Sequence, residues 1–139
     1  MTARVVDASV VAAAFFDEEF AEPARQLLSS DLELLAPDLI ASEVANVIWK
    51  RFRKREINAS ESRDLLADFH LLPLRLAPST GLVASALELA LQLDRSIYDC
   101  LYFALALRTK SLLVSADRRF VNALTPGPMA RHIRWIGEA

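Results

Sequence analysis

Arg4-Val5-Val6-Asp7-Ala8-Ser9-Val10-Val11-Ala12-Ala13-Ala14-Phe15-Phe16 reads as a short strand that stops at an acid and gives way to an apolar helix. The same alternation continues along the chain. Short apolar runs bounded by polar or turn residues occur at 4–7, 33–36, 72–76, 111–115 and 132–136, and these are the five predicted strands. Helical spacing fills the intervals at 9–16, 21–30, 38–54, 60–70, 80–93, 97–109 and 117–124. Strands joined through helices run parallel with right-handed crossovers. The expected architecture is therefore α/β, a three-layer α/β/α sandwich whose five-stranded parallel sheet carries helices on both faces. Local boundary signals support it: Pro37 and Asp38 open one helix, Ser60 another and Thr80 a third, and Pro126-Gly127-Pro128 stops the last.

The chain has 139 residues, 53% of them hydrophobic, which suits one domain over 1–139 and excludes a disordered tail protein. No linker, repeat or low-complexity tract interrupts it. Sixteen Lys and Arg against eighteen Asp and Glu give a net charge of −2, so any attraction to a polyanion has to be local. Cys100 is the single cysteine, which excludes an internal disulfide framework and a Cys-rich zinc site. Glycines at 81, 127 and 137 are too scattered for a phosphate-cradling loop. The apolar stretch 8–16 follows only Arg4 and closes on Asp17, Glu18 and Glu19, so it reads as mature structure and not as a secretion signal. No apolar run approaches the roughly 18 residues of a membrane span, and a soluble, cytoplasmic protein is expected. The helix at 82–93 is apolar nearly all round, which predicts deep burial or a subunit contact, with a homodimer the favoured outcome.

Four acids stand among apolar neighbours. Asp7 ends Val5-Val6; Glu43 sits among Leu39, Ile40, Val44, Val47 and Ile48; Asp99 enters Ile97-Tyr98-Asp99-Cys100-Leu101; Asp117 follows Leu112-Leu113-Val114-Ser115-Ala116. An enclosed carboxylate needs a cation, a strong hydrogen-bond donor or a raised pKa. Asp7 is either an N-cap or a ligand-binding acid at the carboxyl end of a strand, and Ser9 either caps the same helix or holds a water or phosphate there. At 100° per residue, Ile40 and Val47 lie within about 60° of Glu43, so Glu43 projects from the apolar stripe. Asn46 shares its edge and either orients it, contacts substrate or simply packs. Ser96-Ile97-Tyr98-Asp99 fits a capping box, and Asp117 could equally cap the short helix after it, with Ser115 a turn residue. If the first and fourth strands are neighbours, Asp7 and Asp117 converge. An acidic cluster of that kind is tolerable with divalent cations, and all-oxygen ligands favour Mg²⁺ or Mn²⁺ over Zn²⁺.

Val5-Val6-Asp7-Ala8-Ser9, Glu43-Val44-Ala45-Asn46, Ser96-Ile97-Tyr98-Asp99-Cys100-Leu101-Tyr102 and Leu113-Val114-Ser115-Ala116-Asp117-Arg118-Arg119-Phe120, in this order and spacing, resemble a PIN domain. They are most similar to the VapC toxins of toxin-antitoxin pairs, and the likeness runs from Arg4 to Trp135. The resemblance implies a magnesium-dependent endoribonuclease with Asp7, Glu43, Asp99 and Asp117 as its acidic cluster, usually dimeric and held inactive by a small cognate antitoxin. Two departures are visible. Ser115 stands where Thr is commoner, and Arg118 and Arg119 follow Asp117 where some members place a further acid, which leaves one or two metals open.

On this reading Asp7, Asp99 and Asp117 are direct metal ligands, while Glu43 binds metal directly, binds through water or serves as general base. No nucleophile elbow and no HExxH pair involving His70 or His132 is present, against serine hydrolase and zinc peptidase chemistry. The basic stretch Lys50-Arg51-Phe52-Arg53-Lys54-Arg55, interleaved with Trp49 and Phe52, and the pair Arg118-Arg119 are candidate RNA contacts; the alternative for the stretch is a solvated helix end. A phosphatase with Asp7 as nucleophile would want a second Asp where Ser9 stands. A catalytically silent binding module is the rival from another class. The helices at 38–54 and 60–70 have apolar margins suited to an antitoxin helix.

Overall fold

Val5 and Val6 lie fully enclosed in the middle strand of a five-stranded sheet in the computed structural model, which describes residues 3–138. The strands are β1 (Ala3–Val6), β2 (Glu33–Pro37), β3 (Leu74–Ala77), β4 (Leu112–Ser115) and β5 (Ile133–Trp135). All pair in parallel in the order β3-β2-β1-β4-β5, with Val5 opposite Leu35 on one side and Leu113 on the other. Around the sheet pack α1 (Ala8–Phe15), α2 (Ala21–Leu28), α3 (Leu39–Arg53), α4 (Ala59–Leu71), α5 (Val83–Leu93), α6 (Ile97–Thr109) and α7 (Arg118–Leu124). Strand order runs outward from β1 through β2 to β3, then reverses to β4 and β5. Right-handed crossovers consequently put α1 to α4 on one face and α5 to α7 on the other. The layered α/β architecture expected from the sequence is the one observed.

The reversal places a crevice beyond the carboxyl ends of β1 and β4, the position where open parallel sheets bind ligands. α6 supports it from beneath. Cys100 through Ala106 are all buried, and the helix packs on β1, β2 and β4, so its first turns are held rigidly at the crevice. α3 is amphipathic: Ile40, Val44 and Ile48 form its buried stripe, and Lys50, Arg51 and Arg53 occupy its last turn, where cations suit the helix dipole.

Several boundaries differ from expectation for local reasons. The third strand starts at Leu74 and not at 72, because Pro73 has no N–H for the ladder. The first helix begins at Ala8, with Asp7 as its N-cap. Asp38 stands at the N-cap of α3, as expected, but without a side-chain cap hydrogen bond: its Oδ1 accepts from Ser79 N and Oγ at 3.1 and 2.6 Å, and Ser79 Oγ in turn accepts from Leu39 N at 3.1 Å. Ser60 does not open the next helix. Asn58 does, through a full capping box with Glu61. Thr80 lies inside a 3-10 turn, Ser79–Leu82, ahead of α5. Deep burial of the 82–93 segment is also corrected: in α5 only Ala86 and Leu89 are buried, and Val83, Leu87 and Leu91 are 46%, 49% and 72% exposed. Among the described residues no helix is long and apolar enough to cross a membrane.

Candidate active site

Asp7 follows β1, and parallel pairing with β4 puts it beside Ser115: Asp7 N donates to Val114 O at 3.4 Å, and Ser115 Oγ donates to Asp7 Oδ2 at 2.5 Å. Its other oxygen accepts from Ser9 N at 3.1 Å and from Ser9 Oγ. Ser9 Oγ also accepts from Ala116 N at 2.8 Å, and Ser115 Oγ accepts from Asp117 N at 3.0 Å. The two serines thereby clamp the end of β1 to the end of β4; Ser115 keeps its turn role while holding Asp7, whereas Ser9 lies inside α1 and does not cap it, the N-cap being Asp7. Asp7 is buried with no ion-pair partner among the described residues. Burial pushes its pKa from 3.8 up to about 6 despite the serine hydrogen bonds, and Asp117 adds repulsion.

Glu43 projects from α3 into the same crevice, half-buried. Tyr102 Oη donates to its Oε1 at 2.5 Å. Burial raises the Glu43 pKa, Asp99 raises it further, and the tyrosine hydrogen bond opposes both. Tyr102 itself is buried, and its pKa is pushed up by burial and by the charges of Glu43 and Asp7. Asp99, in the first turn of α6, has its backbone N–H bound by Ser96 Oγ at 3.2 Å, one half of the expected capping box. Its carboxylate turns away from Ser96 to Arg95, with Nη2 to Oδ2 at 2.8 Å. Asp117 caps α7, its Oδ1 accepting from Arg119 N and Phe120 N at 3.0 and 3.3 Å, and is exposed.

The four acids thus fall into two pairs within reach of each other's charge, Asp7 with Asp117 and Glu43 with Asp99, and Tyr102 feels the charges of both Glu43 and Asp7. Their donors are all oxygen, and Asp7 and Glu43 are desolvated without an ion-pair partner among the described residues, which suits a hard dication. Among the described residues no group of three His, Cys, Asp or Glu side chains is placed so that it could hold a metal ion as it stands. The reason is visible in the side chains: Asp99 is held by Arg95, and Asp117 by its own helix terminus.

Residues 4–123 match the PIN domain family. The chain belongs to that family. This PIN domain is 34% identical to Ribonuclease VapC3 of Pyrobaculum aerophilum over 120 residues, covering 85% of the chain and 92% of the relative. Its fold is similar to that of PAE2754 from the same organism, with a TM-score of 0.68 at 21% identity over 99% of this chain and 92% of that one. It is also similar to Mycobacterium tuberculosis VapC20, a sarcin-ricin loop cleaving toxin, with a TM-score of 0.66 at 18% identity over 87% and 95%. VapBC2 of Rickettsia felis, bound to a DNA fragment from its promoter, gives a TM-score of 0.62 at 14% identity over 96% and 98%.

The remaining sequence-named residues fall differently in the PIN domain. Asn46 is exposed, and its side chain makes no hydrogen bond among the described residues. Arg51 is not a free RNA contact: it pairs with Glu18 and, at 3.0 Å, with Glu56, and covers the Phe16 ring at 4.5 Å. Arg53 lies 5.0 Å from the Trp49 ring and Arg118 3.9 Å from the Trp135 ring, while Lys50, Lys54 and Arg119 are exposed. Two residues at the site were assigned no role from the sequence. Tyr102 shares a helix face with Asp99, three residues on, so its spacing was a usable signal; Arg95 precedes the helix and had none.

Proposed function

We propose that this PIN domain is a divalent-cation-dependent endoribonuclease of the VapC type, a cytoplasmic toxin restrained by a small antitoxin. The observation that carries the reading is Asp7, a carboxylate enclosed at the switch point of the sheet with no ion-pair partner among the described residues. Asp7, Asp99 and Asp117 would hold Mg²⁺ or Mn²⁺, with Glu43 as a further ligand, directly or through water, or as general base. Bound there, the ion would lower the pKa of a water and offset charge on the phosphate oxygens. Ser9 and Ser115 fix both oxygens of Asp7, so its orientation is set before RNA arrives. If Glu43 serves as the base, Tyr102 on its Oε1 leaves Oε2 to take the proton as the water oxygen bonds to phosphorus, while the bond to the leaving oxygen breaks and that oxygen takes a proton from solvent. Enclosure of Asp7, with both oxygens engaged, disfavours the phosphatase alternative in which it would attack phosphorus itself.

Two surfaces support the partners this reading requires. A groove of about 300 Å³ between α3 and α4, lined by Ala45, Ile48, Trp49, Phe52, Ala59 and Leu66, suits an apolar antitoxin helix. The exposed stripe Val83, Leu87 and Leu91 on α5 suits a second copy of the chain. The deciding experiment incubates purified protein with total RNA in Mg²⁺ or chelator, beside Asp99→Asn. Discrete fragments that need both the ion and Asp99 are expected; intact RNA under every condition would leave the silent binding module as the reading.

A further inference from the structure

Arg95 stands one residue ahead of Ser96, the N-cap of α6, and reaches forward to Asp99. Three observations describe its state. Nη2 holds Asp99 Oδ2 at 2.8 Å, the guanidinium lies 5.2 Å from the Phe120 ring on α7, and Nε is buried without any hydrogen-bond partner. Asp99 is the one acid of the four that is already neutralised among the described residues. An N–H shut away from water and unpaired is costly. The pose therefore depends on Asp99 and on the ring, and is not locked by a complete set of hydrogen bonds. A guanidinium and a dication on one carboxylate repel each other, so full engagement of Asp99 by an ion works against the Arg95 contact.

We propose that Arg95 is a resident counter-ion: it occupies Asp99 while the ion site is empty, yields Asp99 when the ion binds, and is then free for the charge of an RNA phosphate. The inference rests on the nuclease reading above. Guanidinium chemistry suits both states, since its planar fork pairs with carboxylate and phosphate alike. Arg95 is a positioning residue in the first state, acting through Asp99, and an anion clamp in the second.

The test is Mn²⁺ titration by calorimetry without RNA, followed by cleavage at saturating Mn²⁺. Arg95→Gln is expected to bind Mn²⁺ about fivefold more tightly, the size of a partly exposed ion pair released from competition. It should nonetheless cleave RNA more slowly. Arg95→Lys, which keeps the charge, should bind Mn²⁺ as the wild type does. Arg95→Met keeps the stem over Phe120 and repeats the measurement if the Gln variant melts early. Unchanged or weaker Mn²⁺ binding in both neutral variants, with wild-type circular dichroism, overturns the counter-ion role alone. No Mn²⁺ binding by the wild type overturns it together with the nuclease reading.

Discussion

With Asp7 enclosed and its pKa raised from 3.8 to about 6, the folded protein holds that proton more tightly than the unfolded chain does. The contribution to stability is therefore full below about pH 4 and is lost as pH rises through about 6, in the metal-free protein. The loss amounts to about 3 kcal/mol at neutral pH. Asp7→Asn removes it, so urea unfolding at pH 7.5 in chelator should show the variant more stable than wild type, with the gap closing toward pH 4 and cleavage abolished throughout. A wild type at least as stable as the variant at pH 7.5 would contradict an uncompensated charge. Tyr102→Phe tests the neighbouring acid. Its hydroxyl opposes the rise in the Glu43 pKa, so deletion should shift the acidic limb of the cleavage–pH profile upward and lower the rate about tenfold or more. A limb that stays in place would remove Glu43 from proton transfer.

Among the elements, α4 offers the cleanest separation of stability from chemistry. Its start depends on Asn58 and Glu61, each bonded to the other's backbone N–H at 2.7 and 2.9 Å. Asn58→Ala should cost about 1 kcal/mol in urea unfolding and leave cleavage unchanged, whereas Ser60→Ala should change neither stability nor cleavage. That a serine was the expected boundary shows where sequence patterning stops: Asn58, Ser60 and Ser62 all offer a plausible cap, and only backbone direction chooses among them. The five strands were legible because buried parallel strands are short apolar runs between polar stops. Glu43 was legible because helical angle alone put an acid on an apolar stripe. The exposure of α5 was not, since periodicity records how apolar a face is and says nothing about which element covers it. Arg95 escaped for a related reason. Its contact with Asp99 spans four residues, but residue 95 precedes the helix, where the four-residue rule has no geometric basis.

At the scale of the molecule, an overall charge of −2 and an acidic crevice should repel RNA, so binding has to be supplied by a local concentration of cations. The end of α3 is the best placed source: Lys50 and Lys54 are exposed and, among the described residues, make no ion pair of the kind that occupies Arg51. Arg51 instead fastens α3 to the segment after α1, which explains how one basic run can serve folding and substrate at once. Each phosphate contact to a single strand contributes about 0.7 to the slope of log affinity against log salt. Replacing Lys50 and Lys54 with Ala should then make the salt dependence of kcat/KM shallower by about 1.4, raise KM at moderate salt, and leave kcat unaffected. Arg51→Ala should behave differently, lowering the unfolding midpoint with little change in slope, because its charge is already spent on Glu18 and Glu56. If the double lysine variant keeps the wild-type slope, RNA enters by another face, and the exposed Arg119 beside Asp117 becomes the residue to replace next.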